Sequence, residues 1–402
     1  LLSTESELRF SFRENIEPLY RELVGLLLEG SPSQDDLKQA RQIIESLQLA
    51  ELNNFFQDAC LDATPKQIDE IDPKAAVVYP IVLDDRIATI VSVSGEPLRY
   101  YPTMVSREIQ EEVFEDMLAS LNLAYPTPER LAVSRTLYNW IITPAEQEGV
   151  FANTETLVFV LDGALRNVPM AALHDGDKYL IEKYQIALSQ GLQLLSTDGK
   201  DDNRKAILAG LSESRQGFNA LPNVKRELEM IDDKMGSAIL LDEEFTEEAL
   251  RRVVDSRSFS ILHLATHGRF SSDADNTFLL TWNDRLGVSE FGDILRGKQL
   301  RDARPLDLLV LSACETAAGD KQAVLGLAGL AVGSGASSTV ATLWAVRDES
   351  TADFTIRFYE ELAQPDTTKA AALRQAQVAM LQERRTRHPY FWAAFVLVGN
   401  WQ

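Results

Sequence analysis

Residues 259–270 read Phe-Ser-Ile-Leu-His-Leu-Ala-Thr-His-Gly-Arg-Phe, and residues 306–316 read Leu-Asp-Leu-Leu-Val-Leu-Ser-Ala-Cys-Glu-Thr. Each begins as a short apolar run, 259–264 and 306–311, of the kind that forms a strand covered on both faces. Each then turns small and polar, at His-Gly (267–268) in one and at Ser-Ala-Cys (312–314) in the other. In a parallel α/β sheet, functional groups gather where strands end. His267 and Cys314, each expected just past its strand, can therefore meet at one rim of one sheet. A thiol beside an imidazole is a route to an activated nucleophile, so the first reading is cysteine peptidase chemistry.

Outward from these stretches, residues 205–402 alternate between strand and helix. Strands are predicted at 206–211, 238–241, 259–264, 277–282, 306–311, 338–343 and 395–398. Helices are predicted at 224–235, 246–254, 289–296, 323–332, 349–363 and 368–382. Continuous apolar strands separated by helices predict an α/β fold, a mostly parallel sheet with helices on both faces. Upstream, apolar runs 77–83 and 87–93 flank Asp84-Asp85-Arg86 and read as a hairpin. Helices are expected near 106–122 and 127–142, strands at 157–161 and 184–188, and a polar linker at 196–204. The N-terminal region is helical: Leu8, Phe12, Ile16, Leu19, Tyr20, Leu23 and Leu27 recur three or four apart. After Ser31-Pro32-Ser33 a second helix carries Leu37, Ile43, Ile44, Leu47 and Leu49, and a third apolar stretch reaches Cys60. The division is then 1–64 as a helical region that could end a helical-repeat array, 75–200 as a first α/β half, and 201–402 as a second.

Composition narrows the function. The 402 residues hold 61 Asp+Glu against 39 Lys+Arg, a net charge of −22. That field repels phosphates and argues against nucleic acid as a partner. No apolar run reaches membrane-spanning length, so no membrane association is expected. Cys60 and Cys314 are the two cysteines and stand far apart. They make no disulfide framework and suit a reducing, cytoplasmic compartment. The chain begins at Leu1 rather than Met and reads as a fragment.

Other chemistries find no support. His263 and His267 imitate a helical metal pair, but four strand residues at about 3.3 Å each part their Cα atoms by roughly 13 Å. The glutamate of H-E-x-x-H is also missing. His263 therefore reads as structural. The four histidines (174, 263, 267 and 388) and two cysteines make no zinc spacing, so neither metal nor cofactor is expected. There is no G-x-S-x-G elbow and no phosphate-binding G-x-x-x-x-G-K-[ST] loop. Gly333-Ser-Gly335 lies between a helix and a strand, the reverse of a dinucleotide turn. Taken alone, His267 could be a structural histidine and Cys314 a core residue. Gly268 tips the balance, because a glycine at that point lets a backbone N–H approach a ligand closely.

The ordered motifs His-Leu-Ala-Thr-His-Gly (263–268), Leu-Ser-Ala-Cys-Glu-Thr (311–316), Ala-Thr-Leu-Trp-Ala-Val-Arg-Asp (341–348) and His-Pro-Tyr-Phe-Trp-Ala-Ala-Phe-Val-Leu-Val-Gly (388–399) resemble the CHAT domain, as does Asp-Gly-Ala-Leu-Arg-Asn-Val-Pro-Met-Ala-Ala-Leu-His (162–174). This is a caspase- and separase-like cysteine peptidase domain often found behind tetratricopeptide repeats in bacteria, cyanobacteria especially. The resemblance covers roughly 130–402. It implies a caspase-like fold in which His267 is general base and Cys314 nucleophile, with the N–H groups of Gly268 and Cys314 as the oxyanion hole. It implies Asp348 as the acid that binds a basic residue before the cut, although Ala345 stands where separases carry another acid. It implies that 75–200 is a degenerate, pseudo-peptidase-like half. The expected activity is cleavage of protein substrates at few sites, under control of a regulatory protein or an upstream helical-repeat region. The competing expectations are a non-enzymatic scaffold or interaction module of the same fold, and a small-molecule α/β enzyme.

Overall fold

The computed structural model describes residues 16–56, 72–189, 191, 205–271, 274–302, 306–316 and 335–402. The predicted helix at 323–332, the linker at 196–204, the glycine at 333 and Cys60 lie outside them. Helices Glu17–Leu27 (α1) and Gln34–Phe56 (α2) come first, sinking Val24, Leu37, Ile44, Leu47 and Leu52 into the core. No Pro or Gly interrupts 34–56, so the helix runs on where a break was expected.

Ala75–Val82 (β1) and Arg86–Val93 (β2) form the expected antiparallel hairpin, with Val82 opposite Ile87. Arg99–Met104 (β3) extends it, although sequence alternation did not reveal that strand. Only Tyr101 of its six residues is buried, and Pro102, which has no N–H to donate, is tolerated on an edge. Arg107–Ala119 (α3), Thr127–Ile141 (α4) and Thr143–Gln147 (α5) follow. Thr156–Phe159 (β4) then pairs parallel to β1. Leu180–Lys183 (α6) leads to Gln185–Leu188 (β5), parallel to β4.

The second half opens with Ala206–Gly210 (β6), Val224–Met235 (α7), Ala238–Leu241 (β7), Glu247–Ser256 (α8) and Ile261–Phe270 (β8). Phe278–Leu280 (β9), Arg285–Gly287 (β10), Val288–Asp302 (α9) and Leu308–Thr316 (β11) come next. Ser338–Thr342 (β12), Asp348–Leu362 (α10), Lys369–Gln382 (α11), Pro389–Trp392 (α12) and Phe395–Gly399 (β13) complete the chain.

The described strands all join one 13-stranded sheet in the order β10-β9-β8-β11-β12-β13-β5-β4-β1-β2-β3, with β6 beside the first part of β8 and β7 outside β6. The halves meet where β13 pairs parallel to β5 at Val398 and Leu188. The step from β6 to β7 runs one way across the sheet and the step from β7 to β8 runs back. With right-handed crossovers, α7 and α8 therefore fall on opposite faces. α10 packs with α7 and with α11, α11 also meets α6, and α9 packs with α8. This is the mostly parallel, helix-covered sheet behind helical N-terminal residues that the sequence predicts. Among the described residues no helix is long and apolar enough to cross a membrane.

One expectation needs correcting. His267 and Cys314 lie inside their strands, not past them: β8 runs to Phe270 and β11 to Thr316. The apolar run ends at Leu264, but backbone pairing does not require apolar side chains. β6 accompanies β8 as far as Ala265, and β9 takes over the same edge at Gly268, so the ladder continues.

Candidate active site

β8 and β11 are adjacent and parallel, with Leu264 opposite Leu311, His267 opposite Ala313 and Gly268 opposite Cys314. Between the first two pairs β8 spends three residue steps where β11 spends two, a bulge that bends and twists the strand. Neighbouring strands lie about 4.8 Å apart, so the backbones of His267–Gly268 and Ala313–Cys314 are side by side. Gly268 also faces Leu279 of β9.

The His267 ring is half-buried and held from the loop between β6 and α7. Its Nε2 lies 2.8 Å from the carbonyl oxygen of Asn219, and Phe218 tilts against it at 5.0 Å between centroids. With the proton on Nε2 donated to Asn219, Nδ1 keeps a lone pair for a second partner. The loop is built to hold that pose. Gln216 and Gly217 have φ of +47° and +87°, the left-handed pair of a tight reversal, and Phe218 N–H donates to Arg215 O at 2.7 Å. The Arg215 guanidinium sits 3.1 Å from the Trp282 ring centroid.

Carboxylates clamp both ends of the loop. Asp242 accepts from Ser212 N–H (2.6 Å) and Ser212 Oγ (2.7 Å). Asp348 Oδ2 accepts from Asn223 N–H (2.9 Å) and Asn223 Nδ2 (2.7 Å). Behind the loop, Gly210 lets α7 lie close to the sheet. A Cβ there would meet Val224 Cγ1 at 2.6 Å and Ala265 O at 2.9 Å.

Asp348 thus stands in the loop's support. It is the first residue of α10, whose cap position is Arg347, and its carboxylate reaches α7 instead of capping its own helix. It follows β12, which pairs parallel to β11 as expected.

Beneath His267 lies a buried polar cluster. His263 is fully buried, with Nε2 3.1 Å from Glu227 Oε1, off the line of a hydrogen bond, and Nδ1 3.4 Å from Tyr359 Oη. Ser312 Oγ donates to the same Glu227 oxygen at 2.6 Å. Burial and then the Glu227 charge push the Tyr359 phenol well above its ordinary value, so it stays a donor. His263 is packed into the interior, as its sequence position suggested.

The other histidines serve local structure. His174 Nδ1 accepts from Gly176 N–H (3.0 Å), and His388 Nδ1 accepts from Tyr390 N–H (3.1 Å) at the start of α12. Among the described residues no group of three or more His, Cys, Asp or Glu could hold a metal.

The sequence reading missed Phe218, Asn219 and Glu227. Asn219 acts through its backbone, which leaves no mark in a sequence. Glu227 had a signal: it lies between Val224, Leu228 and Ile231 on the buried face of α7, where an acid demands a partner.

Compared with known proteins, residues 131–400 match the CHAT domain. The chain belongs to that family. Tetratricopeptide repeat protein 28 of Homo sapiens is 23% identical over 323 residues, which take in 66% of this chain. The chain spans only 13% of that relative's length. Among solved structures, the Arg-specific cysteine proteinase gingipain R of Porphyromonas gingivalis aligns at a TM-score of 0.45 and 9% identity, covering 84% of this chain and 79% of its own. Separase in the Saccharomyces cerevisiae separase–securin complex aligns at 0.42 and 12% identity, covering 91% and 24%.

Proposed function

We propose that this chain is a cysteine endopeptidase that cuts protein substrates at few sites. The observation that carries the proposal is the pairing of His267 and Gly268 with Ala313 and Cys314 on adjacent parallel strands, with the imidazole held at Nε2 by Asn219. His267 Nδ1 takes the proton of the Cys314 thiol, and the sulfur attacks the scissile carbonyl carbon. The N–H groups of Gly268 and Cys314 stabilise the oxyanion. As the carbon–nitrogen bond breaks, the imidazolium returns its proton to the leaving amine. Water, deprotonated by the same imidazole, then hydrolyses the thioester and frees Cys314. No metal or cofactor enters this scheme.

In this reading the preference is for a basic residue before the cut, met by Asp348, and residues 75–200 are a non-catalytic half. Control comes from a regulatory protein or from upstream helical segments. A protein substrate suits the family relationship and the negative net charge, which favours basic segments.

Cys314→Ala and His267→Ala test the dyad. Each should lower cleavage by at least about a thousandfold with circular dichroism and melting unchanged, and a peptidyl chloromethyl ketone should label wild type but not Cys314→Ala. Folded variants that cleave normally would sink the dyad. Chelation should leave cleavage undiminished, and loss restored by zinc would refute the metal-free scheme.

A further inference from the structure

We propose that Glu227 is a positioning residue for the His267/Cys314 pair; this rests on the peptidase reading above. The geometry behind it is a single buried carboxylate that touches both strands just before their bulge. Ser312 of β11 donates to Glu227 Oε1 at 2.6 Å, and His263 of β8 brings Nε2 within 3.1 Å of the same oxygen. Ser312 sits at the register shift itself, two residues before Cys314, and His263 lies four residues before His267.

A bulge is a place where pairing can slip. A slip of one residue would take His267 from opposite Ala313 and Gly268 from opposite Cys314, and would turn side chains to the other face. A carboxylate bonded to β11 and packed against His263 of β8 there fixes the phase of what lies beyond it. Glu227 is 1% exposed, Ser312 2% and His263 0%. A carboxylate taken so far from water is costly unless bonded, and an apolar residue would fill the same space on the inner face of α7 beside Leu228 and Ile231. The helix adds leverage. The loop that holds His267 runs directly into α7 through Asn223, and Arg226 pairs with Asp353 of α10 at 2.7 Å. One rigid helix therefore supports the imidazole from the loop side and the two strands from below.

The test uses Cys60→Ser protein, so that Cys314 is the only thiol, and reads the pH midpoint of iodoacetamide alkylation together with kcat and KM. Wild type should alkylate with a midpoint below the ordinary thiol value of about 8.5. Glu227→Ala should move the midpoint up towards that value and lower kcat about 30-fold, with KM within about threefold. Glu227→Gln, which can still accept from Ser312, should recover most of the rate. Ser312→Ala should act in the same direction, and the double variant with Glu227→Ala should be no worse than Glu227→Ala alone.

A merely structural role would lower the melting temperature without moving the midpoint in the folded protein. Folded Glu227→Ala with wild-type midpoint and kcat overturns the proposal. If Glu227→Ala does not fold, an unchanged midpoint and kcat in Ser312→Ala overturns it. A wild-type Cys314 that alkylates as an ordinary thiol, or cleavage that survives Cys314→Ala, defeats the dyad itself and this proposal with it.

Discussion

The two halves of the sheet finish their rims in different ways. Beyond β4 in the first half, Asp162 is 1% exposed and fully engaged: Arg21 of α1 donates to Oδ2 at 2.6 Å and to Oδ1 at 2.9 Å, and Val82 N–H donates at 2.9 Å. Beside it Arg166 pairs with Glu51 of α2, Gln48 donates to Leu161 O, and Tyr79 Oη donates to Glu45. In the second half the β8–β11 region presents His267, half-buried, with Phe218 and Asn219 against its ring. One rim is sealed by charge pairs from the N-terminal helices, and at the other, among the described residues, the imidazole is held by a carbonyl and an aromatic ring. Both rims are ordered by carboxylates, but in the second half those carboxylates (Asp242, Asp348 and Glu227) hold the loop and strands around His267.

The largest effect should come from breaking the sealed rim. Burial alone would raise the Asp162 carboxyl, yet Arg21, Arg166 and the Val82 N–H together hold it below its ordinary value. Arg21→Ala strands that carboxylate, and removing one partner of a buried pair costs about 3–5 kcal/mol. Urea unfolding should show that loss, while kcat of the folded variant, measured well below its melting point, should match wild type. A folded Arg21→Ala protein that has lost turnover would show that the rims are coupled, and that the N-terminal helices act on the site.

Much of this contrast was written in side-chain patterns, and some was not. The strands at 206–211, 238–241 and 395–398 and the helices 224–235 and 368–382 declared themselves, because continuous or 3.6-spaced apolar residues have few other uses. β3 did not, because an edge strand with one buried residue has no pattern to read. The ends of β8 and β11 were misjudged because pairing there is carried by backbone after the apolar residues stop. His267, Gly268 and Cys314 stood out as residue types at strand ends, whereas the loop at 212–223 is defined by φ angles, a carbonyl and two distant carboxylates. The Arg21–Asp162 pair spans 141 residues, and nothing local in either stretch names the other.

A smaller effect separates two roles for Asp348. As a pocket acid it would give a charge-assisted contact to Arg or Lys. As a clamp it holds Asn223 and the loop behind His267. Asp348→Ala removes both and should lower kcat/KM for Arg-containing peptides by about 30-fold, or about 2 kcal/mol. Asp348→Asn removes the charge but keeps an oxygen for Asn223. If Asp348 binds substrate, Asn should lose Arg cleavage as Ala does and spare Leu peptides. An Arg/Leu preference unchanged in Asp348→Asn would take Asp348 out of the pocket and leave it with the carboxylates that hold the loop and strands.

The smallest effect concerns a seam between the halves, where neither rim's chemistry applies. His388 begins α12, and Trp392 of that helix meets Tyr179 edge to face at 5.2 Å. Burial, with help from Arg130 of α4, lowers the His388 pKa from 6.5 to about 4, and among the described residues its Nε2 finds no partner. Between pH 6.5 and 4 the unfolded chain therefore binds a proton that the folded chain refuses, so stability is full above this window and falls as pH drops through it. The ring is half-exposed, and screening limits the effect to on the order of 1 kcal/mol. His174, lowered by burial in the same direction, adds to the slope. The Arg21–Asp162 pair should hold through that window, since Asp162 titrates below its ordinary value and loses its charge only in stronger acid, whereas burial raises the neighbouring Glu51 carboxyl. His388→Asn, which can still cap α12, should flatten part of the decline in melting temperature from pH 6.5 to 4, while Arg21→Ala should lower the whole curve. A His388→Asn curve parallel to wild type would mean that acid acts elsewhere than at the seam.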